Sequence, residues 1–288
     1  MGTAILRRYV LIGAIGQGGV STVYSAVDAR RGRMLAVKVL APILADDPDA
    51  FDDVRREAVI TDRLRHPSVP KVFEYGEAPL PDGTVVPYVV FELLSGVPLT
   101  DLLADGPLDW PEAVRIAATA ADVLAVAHHR GVVHRDLTAR NIMVTPNGIK
   151  IIDFGLATAA LRSGDTAARP IVVRTVKPRL GPPSHPKTAF ARPADDVYTL
   201  GVLLYEMLTG KSPYPPAMAA TILAAGRVAN LAPTPVLNVR GLPAGVADLI
   251  RACMAKNHTD RPHSSEVALA LWKILDAEGL RLPEPSYN

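Results

Sequence analysis

Residues Val132–Val144 read VVHRDLTARNIMV, which brings an acid, a cation and a carboxamide into one short loop. Apolar pairs flank it, Val132-Val133 before and Ile142-Met143 after, and this predicts a loop held between short buried strands rather than an exposed helix face. Asp136 can accept a proton, Asn141 can ligate a hard cation through its carbonyl oxygen, and Arg135 can pair with an anion. A charged loop of this length is also common as a plain solvated connection, so its neighbours decide its meaning.

Upstream, Tyr9 to Leu40 alternates apolar and polar positions with glycines at 13, 16, 18, 19 and 32, which predicts three antiparallel strands joined by tight turns. The first turn, Gly16-Gln17-Gly18-Gly19-Val20-Ser21, has the glycines that let a backbone approach a ligand and point N–H groups at a triphosphate. An ordinary hairpin turn would use glycine in the same way. Lys38 lies between valines on the third strand, a place that a solvated outer-face lysine also fills. From Asp49 to Arg65 the apolar residues recur at helical spacing, ending at His66-Pro67, and Glu57 on this helix can be an exposed charge or an inward partner of Lys38. Two further strands are expected at Lys71–Gly76 and Val86–Leu93. After Ser95-Gly96 the pattern turns helical: Pro98–Leu103, Trp110–Arg130, Asp195–Thr209, Met218–Ala225, Ala244–Met254 and Ser265–Leu275. Ser163 to Pro193, rich in Pro, Arg and Lys without a period, reads as a long functional loop.

Composition narrows the class. The chain has 288 residues, 49% of them hydrophobic, enough for one large domain or two lobes. Lysine and arginine total 31 against 29 acids, a net charge of +2, which argues against a dedicated nucleic-acid binder. Cys253 is the single cysteine, so an intrachain disulfide framework and a cysteine-built metal cluster are excluded. The first residues, MGTAILRRY, lack the apolar core of a signal peptide, and no stretch is long and apolar enough to span a bilayer; a cytoplasmic location is expected.

The order of motifs then carries a resemblance. A glycine-rich turn before a strand, the lysine of AVKVL, a helical glutamate, HRDLTARN, and Asp153-Phe154-Gly155 after Lys150-Ile-Ile152 together resemble a eukaryotic-type protein kinase domain, over roughly Tyr9 to Leu275. The GQGGVSTVY form of the loop looks most like bacterial serine/threonine kinases. The resemblance implies an α+β, bilobal fold: a small antiparallel β-rich lobe with one main helix over residues 1–94, a larger helical lobe over 95–276, and a short polar tail at 277–288. It also implies ATP with Mg²⁺ or Mn²⁺. Lys38, paired to Glu57, would hold the α- and β-phosphates under the backbone of Ile15, Gly16, Gln17, Gly18, Gly19, Val20 and Ser21; Asn141 and Asp153 would bind the metal; Asp136 would orient and deprotonate the substrate hydroxyl. Val23, Ala36 and Met143 would sandwich the adenine, Phe91 would gate the back of the pocket, and Glu92 and Leu94 would offer backbone groups to the purine. Asp196 would brace the loop from the core helix. The implied partners are ATP and a protein substrate that the sequence does not name, with room for a transient homodimer.

Two departures from that pattern stand out. The lysine usually found two residues after the catalytic aspartate is Thr138 here, with Arg140 as the replacement cation or a solvated bystander. Where an Ala-Pro-Glu type motif is expected the chain reads Gly181-Pro-Pro-Ser184, so Arg261 needs another acceptor, and Arg174-Thr175 is the nearest substrate platform. Ser163, Thr166 and Thr175 beside Arg162, Arg169 and Arg174 are candidate phosphorylation sites, with Arg135 as the phosphate partner. The expected function is a serine/threonine kinase that also phosphorylates itself; a nucleotide-binding pseudokinase scaffold and a small-molecule kinase are the alternatives.

Overall fold

The computed structural model describes residues 4–5, 8–17, 21–41, 48–80, 83–154, 158–159, 192–214 and 235–280. These divide into two compact units, residues 1–96 with 145–157 and residues 97–144 with 158–288. Residues 145–157, expected within the helical part, thus group with the β-rich part.

The first unit is built on a six-stranded sheet of β1 (Ala4–Ile5), β2 (Tyr9–Gln17), β3 (Ser21–Asp28), β4 (Arg33–Leu40), β5 (Val72–Pro79) and β6 (Val85–Glu92), in the order β1-β2-β3-β4-β6-β5. All these pairs are antiparallel. The alternation sorts side chains by parity along β4, whereas β2 is interrupted by register shifts between Leu11 and Gly13 and between Ala14 and Gly16. Leu35, Val37 and Val39 join Tyr9, Leu11, Ala26, Tyr88 and Val90 in one core. Leu40 and Val89 pack on the opposite face against Val54 and Ala58 of helix α1 (Pro48–Leu64). That same face carries Ala36 and Lys38, because residues two apart on a strand point the same way. Helix α1 buries Val54, Glu57, Ala58, Thr61 and Leu64, the spacing of one helical face.

The second unit is helical, as the sequence predicts. It contains α2 (Leu99–Ala104), α3 (Trp110–His129), α4 (Pro193–Thr209), α5 (Ala244–Cys253) and α6 (Ser264–Ala277). Alanines 113, 117, 118, 120, 121 and 127 of α3 are fully buried, so neighbouring helices can approach closely. Helix α4 ends at Gly210, whose φ of 67° is a left-handed cap that glycine adopts without strain. The expected helix Met218–Ala225 lies outside the described residues.

Short strands frame the loop at 134–141. Strand β7 (Val97–Pro98) pairs antiparallel with β9 (Ile142–Thr145), and β8 (Val132–Val133) pairs with β11 (Thr158–Ala159). Residues 134–141 therefore run between two anchored strands, as their flanking apolar pairs predict. Strand β10 (Gly148–Ile151) belongs to the first unit. Among the described residues no helix is long and apolar enough to cross a membrane.

Candidate active site

In the first unit, sheet register gathers the predicted residues. Gly16 lies opposite Val23, Val23 opposite Lys38 and Lys38 opposite Val89, while Ala36 lies opposite Phe91. One row thus joins the end of the glycine-rich strand to the lysine. Lys38 Nζ sits 2.7 and 2.6 Å from Glu57 Oε1 and Oε2, and 3.3 Å from Asp153 Oδ1. The Lys38 and Glu57 side chains are 13% and 5% exposed, whereas the Asp153 side chain is 47% exposed. Burial works against the Lys38 charge, but the carboxylates of Glu57 and Asp153 outweigh it and hold the lysine above its ordinary value. Thr61 Oγ donates to the Glu57 carbonyl at 2.7 Å, tying down the turn that aims the glutamate.

Ile15, Gly16 and Gln17 are exposed at the end of β2, Ser21 is buried at the start of β3, and Phe91, Glu92 and Leu94 are half-buried at the end of β6 and just beyond it. The Glu92 N–H donates to the Lys71 carbonyl at 3.0 Å. Gly18, Gly19, Val20 and Gly155 lie outside the described residues.

In the second unit the loop is held by a single carboxylate. Asp196, 1% exposed on α4, accepts the backbone N–H of His134 at 2.7 Å and of Arg135 at 2.8 Å, and lies 2.8 Å from His128 Nε2. His128 Nδ1 in turn is 2.9 Å from Ser264 Oγ. Sequence reasoning found Asp196 but missed His128, which reads as one of two histidines at a helix end. Beyond this brace, Asn141 Nδ2 donates to the Asp136 carbonyl at 2.8 Å and to Asp136 Oδ2 at 3.1 Å. With the amide nitrogen of Asn141 committed to Asp136, its carbonyl oxygen is the atom that could hold a cation. Arg140 is exposed on a 3₁₀ turn, Ala139–Asn141, and Met143 is half-buried on β9.

Two non-glycine residues at these positions have a left-handed backbone, Arg135 at φ 68° and Asp153 at φ 66°. Such strain costs roughly 1–3 kcal/mol and persists where surrounding contacts impose it, most often at functional sites. For Arg135 the N–H bond to Asp196 is such a contact.

The donor chemistry in each unit suits a hard divalent cation. Asp153 in the first supplies a half-exposed carboxylate and Asn141 in the second an amide oxygen, donors of the kind used for a cation that also takes phosphate ligands. Arg261 finds the acceptors it needed: it donates to the carbonyls of Ala255, Ala194 and Lys256, meets Asp195 Oδ1 at 3.4 Å, and lies over the Tyr198 ring. Gly181–Ser184, Arg174-Thr175 and the serines, threonines and arginines between Arg162 and Thr175 lie outside the described residues.

A buried lysine–glutamate pair beside an aspartate, with a braced His-Arg-Asp loop, defines the phosphotransferase class that the sequence resembles. The protein kinase domain model matches residues 9–272, and the chain belongs to that family. It is 40% identical over 210 residues to the serine/threonine-protein kinase PknB of Mycolicibacterium smegmatis, covering 72% of this chain and 33% of the relative. It is 36% identical over 281 residues to PknB of Mycobacterium tuberculosis, covering 96% of this chain and 44% of the relative. Its identity to PknA of that organism is 34% over 291 residues, with 99% and 65% covered. The chain thus spans a third to under half of the length of these PknB relatives. Among solved structures, a mutant PknI kinase domain of Mycobacterium tuberculosis shares the fold at a TM-score of 0.69 and 23% identity, with 94% of this chain and 97% of that one covered.

Proposed function

We propose that this chain is an ATP-dependent protein kinase domain that transfers the γ-phosphoryl group to serine or threonine hydroxyls, its own among them. The observation that carries the reading is the Lys38–Glu57 pair with Asp153 beside it: a buried ammonium held at 2.6–2.7 Å by one carboxylate keeps its charge and its position. On this reading residues 1–94 and 95–276 act as the two lobes of the domain, in a cytoplasmic setting.

Lys38 neutralises the α- and β-phosphate oxygens, and Glu57 holds its ammonium in place for them. The exposed end of β2 at Ile15–Gln17 offers backbone N–H groups to the phosphates. Ala36 and Val23 supply apolar faces for adenine, and the Glu92 carbonyl with the Leu94 backbone meets its edge. Asp153 in the first unit would ligate Mg²⁺ or Mn²⁺, and Asn141 in the second would offer an oxygen ligand of the same kind; the ion would supply charge neutralisation at the phosphate oxygens. Asp136, held by Asn141, orients the acceptor hydroxyl and takes its proton. Asp196 keeps the backbone of His134 and Arg135 in the geometry this needs. Positioning and electrostatics of this kind carry most of the acceleration in phosphoryl transfer.

Lys38→Met is the test closest to the carrying observation. It should lower phosphotransfer from ATP by about 10²–10³, the size of effect seen when one preorganised electrostatic group is removed. A variant that is folded by circular dichroism and labels substrate at the wild-type rate would contradict the assignment.

A further inference from the structure

The segment that carries Asp153 returns to the first unit after residues 97–144, which belong to the second. Several non-covalent ties hold it there. One is the Lys38–Asp153 contact itself. A second is the Ile151 N–H, which donates to the Ser68 carbonyl at 2.8 Å; the Ser68 N–H in turn donates to His66 Nδ1 at 3.0 Å, in the loop that follows α1. The third is an ion pair between Lys150 Nζ on β10 and Glu92 Oε1 at the end of β6, with the two side chains 22% and 29% exposed.

This ion pair joins two places that matter. Glu92 is the last residue of β6, whose carbonyl is assigned to the purine edge. Lys150 stands three residues before Asp153, the assigned cation ligand, whose φ of 66° must be imposed by its surroundings. A partly exposed pair contributes only about 0–1 kcal/mol to stability. Its effect is therefore to be sought in geometry: it fixes β10 against the end of β6 shortly before a strained residue.

We propose that Lys150 and Glu92 are positioning residues, which hold the Asp153 segment against the purine-facing end of β6 so that the divalent cation strengthens nucleotide binding. The proposal rests on the cation and nucleotide roles assigned under the proposed function. It adds a side-chain role for Glu92, distinct from its backbone, and a role for Lys150, to which the kinase resemblance assigns none.

The test is ADP binding by calorimetry, with Mn²⁺ and with the metal chelated, in the wild type, Glu92→Gln, Lys150→Met and the double exchange Glu92→Lys/Lys150→Glu. Each single variant should lose about three- to fivefold of the Mn²⁺-dependent gain in ADP affinity, the range of a partly exposed ion pair. In Lys150→Met, which is not among the assigned nucleotide contacts, affinity without the metal should stay within about twofold of wild type. The double exchange should recover most of the loss, which a merely damaged fold would not do. A full Mn²⁺ gain in both single variants, or a double exchange worse than either, overturns the proposal and leaves the kinase reading standing. A wild type whose ADP affinity does not respond to Mn²⁺ overturns the proposal together with the cation site it builds on, and a wild type that responds to Mn²⁺ but transfers no phosphate overturns only the kinase reading.

Discussion

Replacing Asp196 by asparagine should uncouple the His-Arg-Asp loop from the helical core while keeping the shape of the side chain. The carboxylate accepts from His134 N and Arg135 N and is 2.8 Å from His128 Nε2, at a site 1% exposed to solvent. An asparagine has one oxygen and one NH₂ group to offer. With its oxygen at the Oδ2 position it still serves His134 and His128, but the NH₂ then faces the Arg135 N–H. One buried donor left unsatisfied costs about 1–3 kcal/mol, and two remaining bonds weakened from charge-assisted to neutral strength cost about 1 kcal/mol more. Relaxation of the Arg135 backbone from φ 68° returns some of this, at the expense of loop geometry. The net loss of about 3 kcal/mol corresponds to a melting temperature lower by roughly 6–12 °C for a body of this size. Scanning calorimetry measures it, and phosphotransfer assayed well below the lowered transition should fall at least about tenfold. A melting temperature within about 1 °C of wild type, with the rate unchanged, would refute the idea that this carboxylate holds the loop.

Two further outcomes follow from packing and charge. Gly201→Ala should destabilise the helical unit although alanine is the better helix former by about 1 kcal/mol. The added Cβ would stand 2.8 Å from Cys253 Cβ and 3.0 Å from Met254 Cγ, and overpacking of that kind costs about 1–3 kcal/mol, so thermal unfolding should shift down by a few degrees rather than up. At the sheet edge, Arg8 donates to both oxygens of Asp28 and to Glu74. The Arg8 guanidinium holds the Asp28 carboxyl down to about 2, and the hydrogen bonds from Tyr9, Tyr88 and Arg8 hold Glu74 below its usual range against the opposing effect of burial. Groups with depressed values stabilise the fold above the ordinary carboxylate range near pH ~4 and lose that contribution as the pH falls toward their folded values. The melting-temperature gap between wild type and Arg8→Met should therefore be full above that range and close on acidification; a gap that stays constant down to the acid limit would contradict it.

The fold was legible where residues repeat with a period. Alternation from Tyr9 to Leu40 gave β2 to β4 but left open which way Lys38 points, which the packing of Leu40 and Val89 on α1 decides, and the 3.6-residue pattern gave α1 and the described helices of the second unit. The site was legible where its motifs are contiguous, as at 134–141 and 152–154. Two-residue strands such as β7, β8 and β11 carry no period, and their pairing joins distant parts of the chain. The left-handed conformations of Arg135 and Asp153 fall on residues that do not announce them, as a glycine would. Contacts across the fold, Lys150 with Glu92 and His128 with Asp196, have no local signature, because each depends on two segments being brought together by packing.

On the proposed function, this chain transfers phosphate through Asp136, positioned by Asn141 and the braced loop. Radiolabel transfer from γ-labelled ATP with Mg²⁺, to the chain itself and to a generic protein acceptor, compared between wild type and Asp136→Asn, tests it most directly. The wild type should label serine and threonine, and the variant should do so at a rate lower by about 10²–10⁴, the usual contribution of a positioned proton acceptor. Equal labelling by the two proteins, or none by a wild type that binds ATP, would contradict it.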